Sequence, residues 1–281
     1  MNVDLHSHSL ASDGLLAPAA VAARARAGGV DVWALTDHDD VSGLDEAAAA
    51  AAALGMRFVP GVEISVTWRA EPSHKGTTVH VVGLNIDPEN AALADGLAAI
   101  RAGREDRARR IAFDLEVAGV PGALEGARKY AANPDLVSRT HFARFLVEAG
   151  KVPSTHAAFN RYLTEGKPGH VAHDWASLAD AMDWIRAAGG VAVVAHPGRY
   201  KLATGNLNRF LAEFKDRGGA AIEVLTGSHT AAQYNHFAEV CRCFGFMASR
   251  GSDYHGPGES RVDPGDLPRL PADLTPVWQG W

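Results

Sequence analysis

The amino-acid sequence predicts an α/β protein, a parallel barrel-like sheet of seven strands with an inserted helical lobe. Two features predict it. Short β-branched runs alternate with Ala-rich stretches of helical period, as βαβ units require. Between residues 99 and 168 that alternation stops, and only helices and loops are expected. The barrel is therefore assigned to residues 1–98 and 169–281, and the inserted cap lobe to 99–168.

Residues 3–5 read as the first strand and 18–27 as the first helix. Residues 32–35 form the second expected strand, and 44–54, with its long Ala run, the second helix. The third and fourth strands are expected over 58–65 and 78–84. The polar stretch Glu71-Pro72-Ser73-His74-Lys75-Gly76 joins them with no intervening helix. Strands resume at 191–195, 220–225 and 247–249, among helices over 178–188, 207–217 and 230–244.

Length and composition fit one large domain with an insertion and a sizeable core, and they exclude disorder. No apolar run approaches the ~20 residues of a membrane helix, so no membrane association is expected. The N-terminus lacks the basic-then-apolar profile of a secretion signal. Cys241 and Cys243 are too close in sequence for a disulfide framework and read as inert helix residues; a reducing cytoplasm is expected. The net charge of −6 argues against a surface that coats nucleic acid. The lobe differs: nine Arg and three Lys face eight acidic residues there, a local excess of +4. A run such as Arg101, Arg104, Arg107, Arg109 and Arg110 is ordinarily a solvated helix face, but beside an acidic barrel it points to an anionic partner.

The 13 histidines sharpen the reading. His6 and His8 follow the first strand, with Asp13 close behind, and Asp37-His38-Asp39 follow the second. Glu63 lies in the third and His80 in the fourth; His196 follows the fifth, and Asp253 and His255 follow the last. In a parallel barrel such strand ends share one face, where active sites are built. His6 and His8 are two residues apart, as are Asp253 and His255, so each pair can grip one ion. Imidazole and carboxylate without thiolate suit Zn²⁺, Mn²⁺ or Fe²⁺ and argue against a Cys-type structural zinc site. A lone strand-end histidine such as His80 is more often a core residue. Six such placements in strand order mark a metal centre instead. His74 falls in the polar turn and is expected to be exposed; His156, His170 and His173 belong to the lobe or its return linker, and His236 to a helix. His141 and His229 are candidate substrate contacts.

The run His6-Ser7-His8, Asp13-Gly14, Thr36-Asp37-His38-Asp39, Gly61-Val62-Glu63, His80, His196-Pro197-Gly198 and Asp253-Tyr254-His255 resembles the polymerase-and-histidinol-phosphatase (PHP) family. The motifs span residues 4–256 in the family's order. The resemblance implies a distorted seven-stranded β/α barrel and three divalent ions, Mn²⁺ foremost, with Zn²⁺ or Fe²⁺ as alternatives. It implies that His6, His8, Glu63 and Asp253 hold one ion and that Asp13, His38 and His255 hold a second. Glu63 would bridge to a third, completed by His80 and His196. Several family members carry His where this chain has Asp13, which keeps a ligand there. Asp13, His38, His196, Asp253 and His255 are the residues expected to act at the reaction centre. Thr140-His141-Phe142-Ala143-Arg144 and Gly166-Lys167-Pro168-Gly169 are similar to a bacterial branch with a helical lobe after the fourth strand. That branch implies hydrolysis of nucleoside 3′,5′-bisphosphates, at the 3′-phosphate, with trimming of RNA from its 5′ end.

Three divalent ions against Asp13, Glu63 and Asp253 would leave a net positive centre, suited to a dianionic ester and to ionising a bound water for in-line attack. Arg104, Arg107, Arg139 and Arg199 are the expected holders of a second phosphate, because guanidinium forks match phosphate oxygens. A nucleotide or short oligonucleotide is the expected partner, with no obligate protein partner. A histidinol-phosphate phosphatase would share the centre, but a basic lobe repels a cationic substrate. Amidohydrolase barrels also open with His-x-His and often add a bridging Lys at a strand end. Here Lys75, Lys129, Lys151, Lys167, Lys201 and Lys215 fall in turns, lobe or helices. A non-catalytic PHP module scaffolding a nucleic-acid enzyme would be marked by lost ligands, and none is missing.

Overall fold

The computed structural model describes residues 1–73 and 75–281; His74, expected in an exposed turn, lies outside the described residues. The chain runs β1 (Val3–Asp4), α1 (Pro18–Ala27), β2 (Val32–Leu35), α2 (Leu44–Ala53), β3 (Arg57–Trp68) and β4 (Thr77–Leu84). Then come α3 (Ala91–Val117), α4 (Ala123–Arg128), α5 (Arg139–Glu148) and α6 (Thr155–Ala158). The last part holds α7 (Leu178–Ala187), β5 (Val191–Val194), α8 (Thr204–Asp216), β6 (Ala221–Thr226), α9 (Ala231–Phe244) and β7 (Met247–Gly251). No helix among the described residues is long and apolar enough to cross a membrane.

The seven strands form one sheet in sequence order. β1, β2 and β3 are parallel, as are β5, β6 and β7. Hydrogen bonds from Leu5 N to Arg250 O, from Asp253 N to His6 O and from His8 N to Tyr254 O join the last strand to the first, so the sheet curls into a barrel. β4 corrects the expectation of an all-parallel sheet: it pairs antiparallel with both β3 and β5. The connection over 69–76 is too short to carry the chain back to the far end of the sheet, since a parallel crossover needs roughly a dozen residues or more. His80 therefore lies near the start of its strand, not at its end, and still reaches the mouth of the barrel.

Alternation along the strands separates floor from wall. Val3, Val32, Ala34, Val59, Val82, Leu84, Val193 and Ala221 form an apolar cluster drawn from six strands, with Met247 of β7 packed against it. A cluster fed by every strand and by no helix lies inside the barrel. On β3 the same parity continues from Val59 to Glu63, on β4 back from Leu84 to His80, and on β6 from Ala221 to Glu223. The opposite parity, including Trp33, Leu35, Ile64, Val81 and Ile222, packs against the helices in the larger core. α2 meets it with Leu44, Ala47 and Ala51, one helical stripe.

α3 belongs to both parts of the molecule. Its 27 residues span about 40 Å at 1.5 Å each. Asn90 opens it by accepting a hydrogen bond from Leu93 N. Leu93, Leu97 and Ile100 pack with the barrel core, whereas Ala108, Ile111 and Leu115 pack with Phe142, Leu146 and Leu163 in a second cluster. Position 99, the expected edge of the lobe, lies within this unbroken helix. The chain re-enters the barrel where Trp175 N donates to Thr67 Oγ1 and Thr67 N donates to Ala176 O.

Closing the barrel requires a near contact at β7. A Cβ on Gly251 would stand 2.3 Å from His6 Cβ and 2.6 Å from His6 N. Gly251→Ala should therefore cost about 1–3 kcal/mol, as overpacking does. Calorimetry should show a lower Tm, and an unchanged Tm would mean that the seam yields freely.

Candidate metal centre and its cleft

Glu63 is fully buried at the mouth of the barrel and meets five imidazoles. Its Oε1 lies 2.9 Å from His80 Nδ1, 2.9 Å from His196 Nε2 and 3.4 Å from His6 Nε2. Its Oε2 lies 2.8 Å from His38 Nδ1 and 3.4 Å from His8 Nε2. Asp253 Oδ1 is 3.3 Å from His8 Nε2 and 3.5 Å from His6 Nε2, while Asp13 Oδ1 is 3.5 Å from His255 Nε2. All nine residues expected as ligands thus converge.

Their chemistry fits divalent cations. Donor atoms at about 2.1 Å from a shared ion stand about 3–3.5 Å apart, which is the spacing found here. Among the described residues, Asp13 Oδ1, Glu63 Oε2, Asp253 Oδ1 and His38 Nδ1 are buried without a hydrogen-bond partner, a costly condition that a cation relieves. Among the described residues, four overlapping groups could hold an ion: His8, Asp13, His38 and His255; His6, Glu63 and His196; His6, His8 and Asp253; and His38, Glu63 and His80. The memberships differ from the expected partition. His8 also faces the Asp13 group, and His38 also faces Glu63 and His80, because the two Glu63 oxygens point at opposite sets of rings.

The ring environments are unequal. Burial, with His255 and His38 nearby, pushes His8 down to about 3, and burial with Arg199 nearby does the same to His196. Both are neutral and ready to ligate at pH 7. Burial also works against His38, but the Glu63 and Asp13 carboxylates overcome it and raise its pKa to about 9. Glu63, Asp13 and Asp253 pay for burial yet stay well below the ordinary carboxylate range, held there by the surrounding histidines.

Three carboxylates that sequence reasoning did not single out as site residues brace this centre. Glu223 of β6 is buried, lies 2.7 Å from His6 Nδ1 and accepts from His196 N at 2.6 Å. Its signal was a lone acid in the apolar run Ala221-Ile222-Glu223-Val224-Leu225. Asp37 accepts from Ser9 N, Ser9 Oγ and Ser12 Oγ, fixing the loop that carries Asp13. Asp39 accepts from Ser65 N and Ser65 Oγ and pairs with Arg104. Asp39, His196 and Asp253 all adopt positive φ, a strained state for non-glycine residues that clusters at functional sites.

A cleft opens beside the centre, lined both by Asp13, His38, His80 and His255 and by Arg104, Arg107, Arg139 and Arg199. Arg104 is held by Asp39 and lies 4.6 Å from the centroid of the Trp175 ring. Arg107 is buried 5.2 Å from the Trp175 ring centroid, and its Nε donates only to Val171 O among the described residues. Burial and the neighbouring Arg139, Arg104 and Arg110 lower its pKa to about 9. Arg199 donates to Asp253 Oδ2 at 3.0 Å. His141 and His229 do not line this cleft. His141 is fully buried and its Nδ1 accepts from Ser138 N, capping α5. His229 Nε2 accepts from Gly198 N, so it holds the turn that presents Arg199. The lobe is tied to the ligand loop where Ser138 Oγ donates to Asp13 Oδ2 and Arg144 to Asp13 O.

The PHP domain family profile matches residues 4–226 of this chain. The chain belongs to the PHP family. This PHP protein is 49% identical to a 3′,5′-nucleoside bisphosphate phosphatase of Chromobacterium violaceum, over 99% of the chain and 95% of the relative. It is 41% identical to the 5′-3′ exoribonuclease Rnm of Escherichia coli, over 99% of the chain and 93% of the relative. A solved structure described as an amidohydrolase from Chromobacterium violaceum, with bound sulfate and no metal, superimposes with a TM-score of 0.94 at 49% identity, covering 99% of this chain and 95% of that one.

Glu223 orients His6, and loss of such a partner typically lowers metal affinity about tenfold to hundredfold. Glu223→Gln should show that loss in a metal titration, and unaltered affinity would remove its bracing role. The pH dependence follows from His38. Its pairing with carboxylates contributes fully below its unfolded value near 6.5 and is lost as the pH rises through about 9. The Tm of the metal-free protein should fall across that interval, and saturating divalent metal should flatten the slope.

Proposed function

We propose that this PHP protein is a metal-dependent phosphoesterase that removes the 3′-phosphate of nucleoside 3′,5′-bisphosphates and trims short RNA from its 5′ end. The observation that carries the reading is one cleft lined both by candidate metal-binding side chains and by four arginines. Three divalent ions, Mn²⁺ foremost, would supply an activated water and Lewis acidity for in-line displacement. His6, His8, Asp13, His38, Glu63, His80, His196, Asp253 and His255 hold them, and Asp13, His38, His196, Asp253 and His255 surround the reacting phosphate.

The arginines then serve the rest of the substrate. Arg107 and Arg139 lack a carboxylate partner among the described residues, so their charge is free for a second phosphate. Arg139 stands at the first position of α5, where the helix N-terminus adds its own attraction for an anion. Arg199 meets the substrate beside Asp253, and Arg104, fixed by Asp39, lines the same cleft. The lobe over 99–168 acts as a cap that sets substrate choice. A histidinol-phosphate or amidohydrolase reading is less well supported: the cleft's basic wall repels a cationic substrate, and no Lys lines it among the described residues. The free cysteines, Cys241 buried and Cys243 exposed, fit a reducing cytoplasm.

Phosphate release from adenosine 3′,5′-bisphosphate, AMP and histidinol phosphate, assayed with Mn²⁺, tests the reading directly. The bisphosphate should be preferred, and a preference for histidinol phosphate would overturn it. Glu63→Gln should remove activity and reduce bound metal, while fewer than two ions per chain in a fully active preparation would defeat the three-ion centre. Arg139→Ala should lower kcat/KM on the bisphosphate by about tenfold to hundredfold, from a charge-assisted contact of about 1.5–3 kcal/mol. A small aryl phosphate should lose far less; equal losses would place Arg139 at the reacting phosphate or in the fold.

A further inference from the structure

Phe113 and Val117 stand 66% and 76% exposed, one turn apart on the outward face of α3. Phe113 borders a hollow whose walls are Arg109, Arg110, Asp114, His170 and Val171. This hollow adjoins the metal cleft. Arg107, which lines the cleft, donates to Val171 O, and Arg110 donates to the next carbonyl, Ala172 O. Arg104, Arg107, Arg110 and Phe113 recur every three residues, so one ridge of α3 runs from the cleft to the hollow.

The chemistry of the hollow is cationic and aromatic. Arg109 is paired with Glu105, but Arg110 is exposed and bonds only a backbone carbonyl among the described residues, leaving its charge available. Asp114 is the acid on the rim. A second copy of this chain fits poorly as the occupant, because a two-fold contact would set Arg109 and Arg110 against their own equivalents. A single-stranded nucleic acid fits well: phosphates meet the arginine and a base stacks on the open ring.

We propose that this hollow seats the portion of an RNA substrate beyond the nucleotide at the metals, with a base on Phe113 and a backbone phosphate on Arg110. It rests on the phosphoesterase reading above and adds a site that a mononucleotide does not reach. The substrate path follows α3 outward, past Arg107 and Val171, and discrimination between mononucleotide and RNA lies on the lobe's outer face.

The test compares Phe113→Ala, Arg110→Ala and the double variant with the parent enzyme in Mn²⁺, on a hexaribonucleotide and on adenosine 3′,5′-bisphosphate. Loss of a base–aromatic stack should lower the ratio of kcat/KM, RNA over bisphosphate, by about tenfold. Fluorescence anisotropy of a labelled hexaribonucleotide with metal-free protein should show weaker binding by a similar factor. Equal losses on both substrates, or no loss on either, overturn the proposal. A change in oligomeric state by light scattering with RNA kinetics unaltered would assign the patch to self-association and also overturn it. If the parent enzyme hydrolyses neither substrate, the phosphoesterase reading fails. The anisotropy comparison still decides the hollow, since undiminished RNA binding by the double variant refutes it.

Discussion

Burying the Glu63 carboxylate among five imidazoles is the constraint on which the rest of this molecule depends. Charged and polar groups removed from water must be satisfied, and among the described residues Asp13 Oδ1, Glu63 Oε2 and Asp253 Oδ1 have no hydrogen-bond partner. The barrel makes that arrangement tolerable by rigidity. Closure between β7 and β1 brings residues from opposite ends of the sequence within 3.5 Å, and Glu223, Asp37 and Asp39 pin the rings and loops that carry them. Positive φ at Asp39, His196 and Asp253 is strain held in place by the same bracing.

Around this anionic and imidazole-rich centre sits a second, opposite layer of charge. Arg104, Arg107, Arg139 and Arg199 share one cleft although guanidiniums repel one another, and burial depresses Arg107 and Arg139. Three of the four come from the inserted helices, so the centre is complete on the barrel while the cationic wall is supplied by the lobe. The two parts are keyed together at the ligand loops: Ser138 and Arg144 reach Asp13, Arg104 reaches Asp39, and Arg144 also clamps Glu259 near the last strand. A displacement of the lobe therefore moves ligand-bearing backbone as well as the arginines.

The clustering of the candidate metal-binding residues is legible in the sequence because it obeys strand periodicity. His6 and His8, like Asp253 and His255, carry their meaning in a two-residue spacing, and the apolar runs beside them announce the strands. The direction of β4 was not legible from alternation alone, since a strand reads the same in either sense; only the short 69–76 link betrays the reversal. Glu223 was missed because a single acid in an apolar strand gives no sign of what it faces. His141 and His229 show how little proximity in sequence says of a side chain's partners. Each sits near a functional motif, but their nearest hydrogen-bond partners are the backbone amides of Ser138 and Gly198. The strand–helix alternation and the charge balance change near residue 99, but the chain continues there as α3 from one hydrophobic cluster into another.

The reversal of β4 has an architectural consequence. Because that strand descends, the chain leaves it at the floor of the barrel, climbs the outside as α3, and descends again as α7 before β5 ascends. The lobe is thus the elaborated tip of a helical hairpin leaning on the wall, and the barrel's hydrogen-bonded ladder passes beneath it from β4 to β5 without interruption. Such a tip can lengthen, shrink or exchange its contents while the ladder keeps its register. Such grafting would be confined to one address, with the candidate metal-binding residues at the barrel mouth left undisturbed.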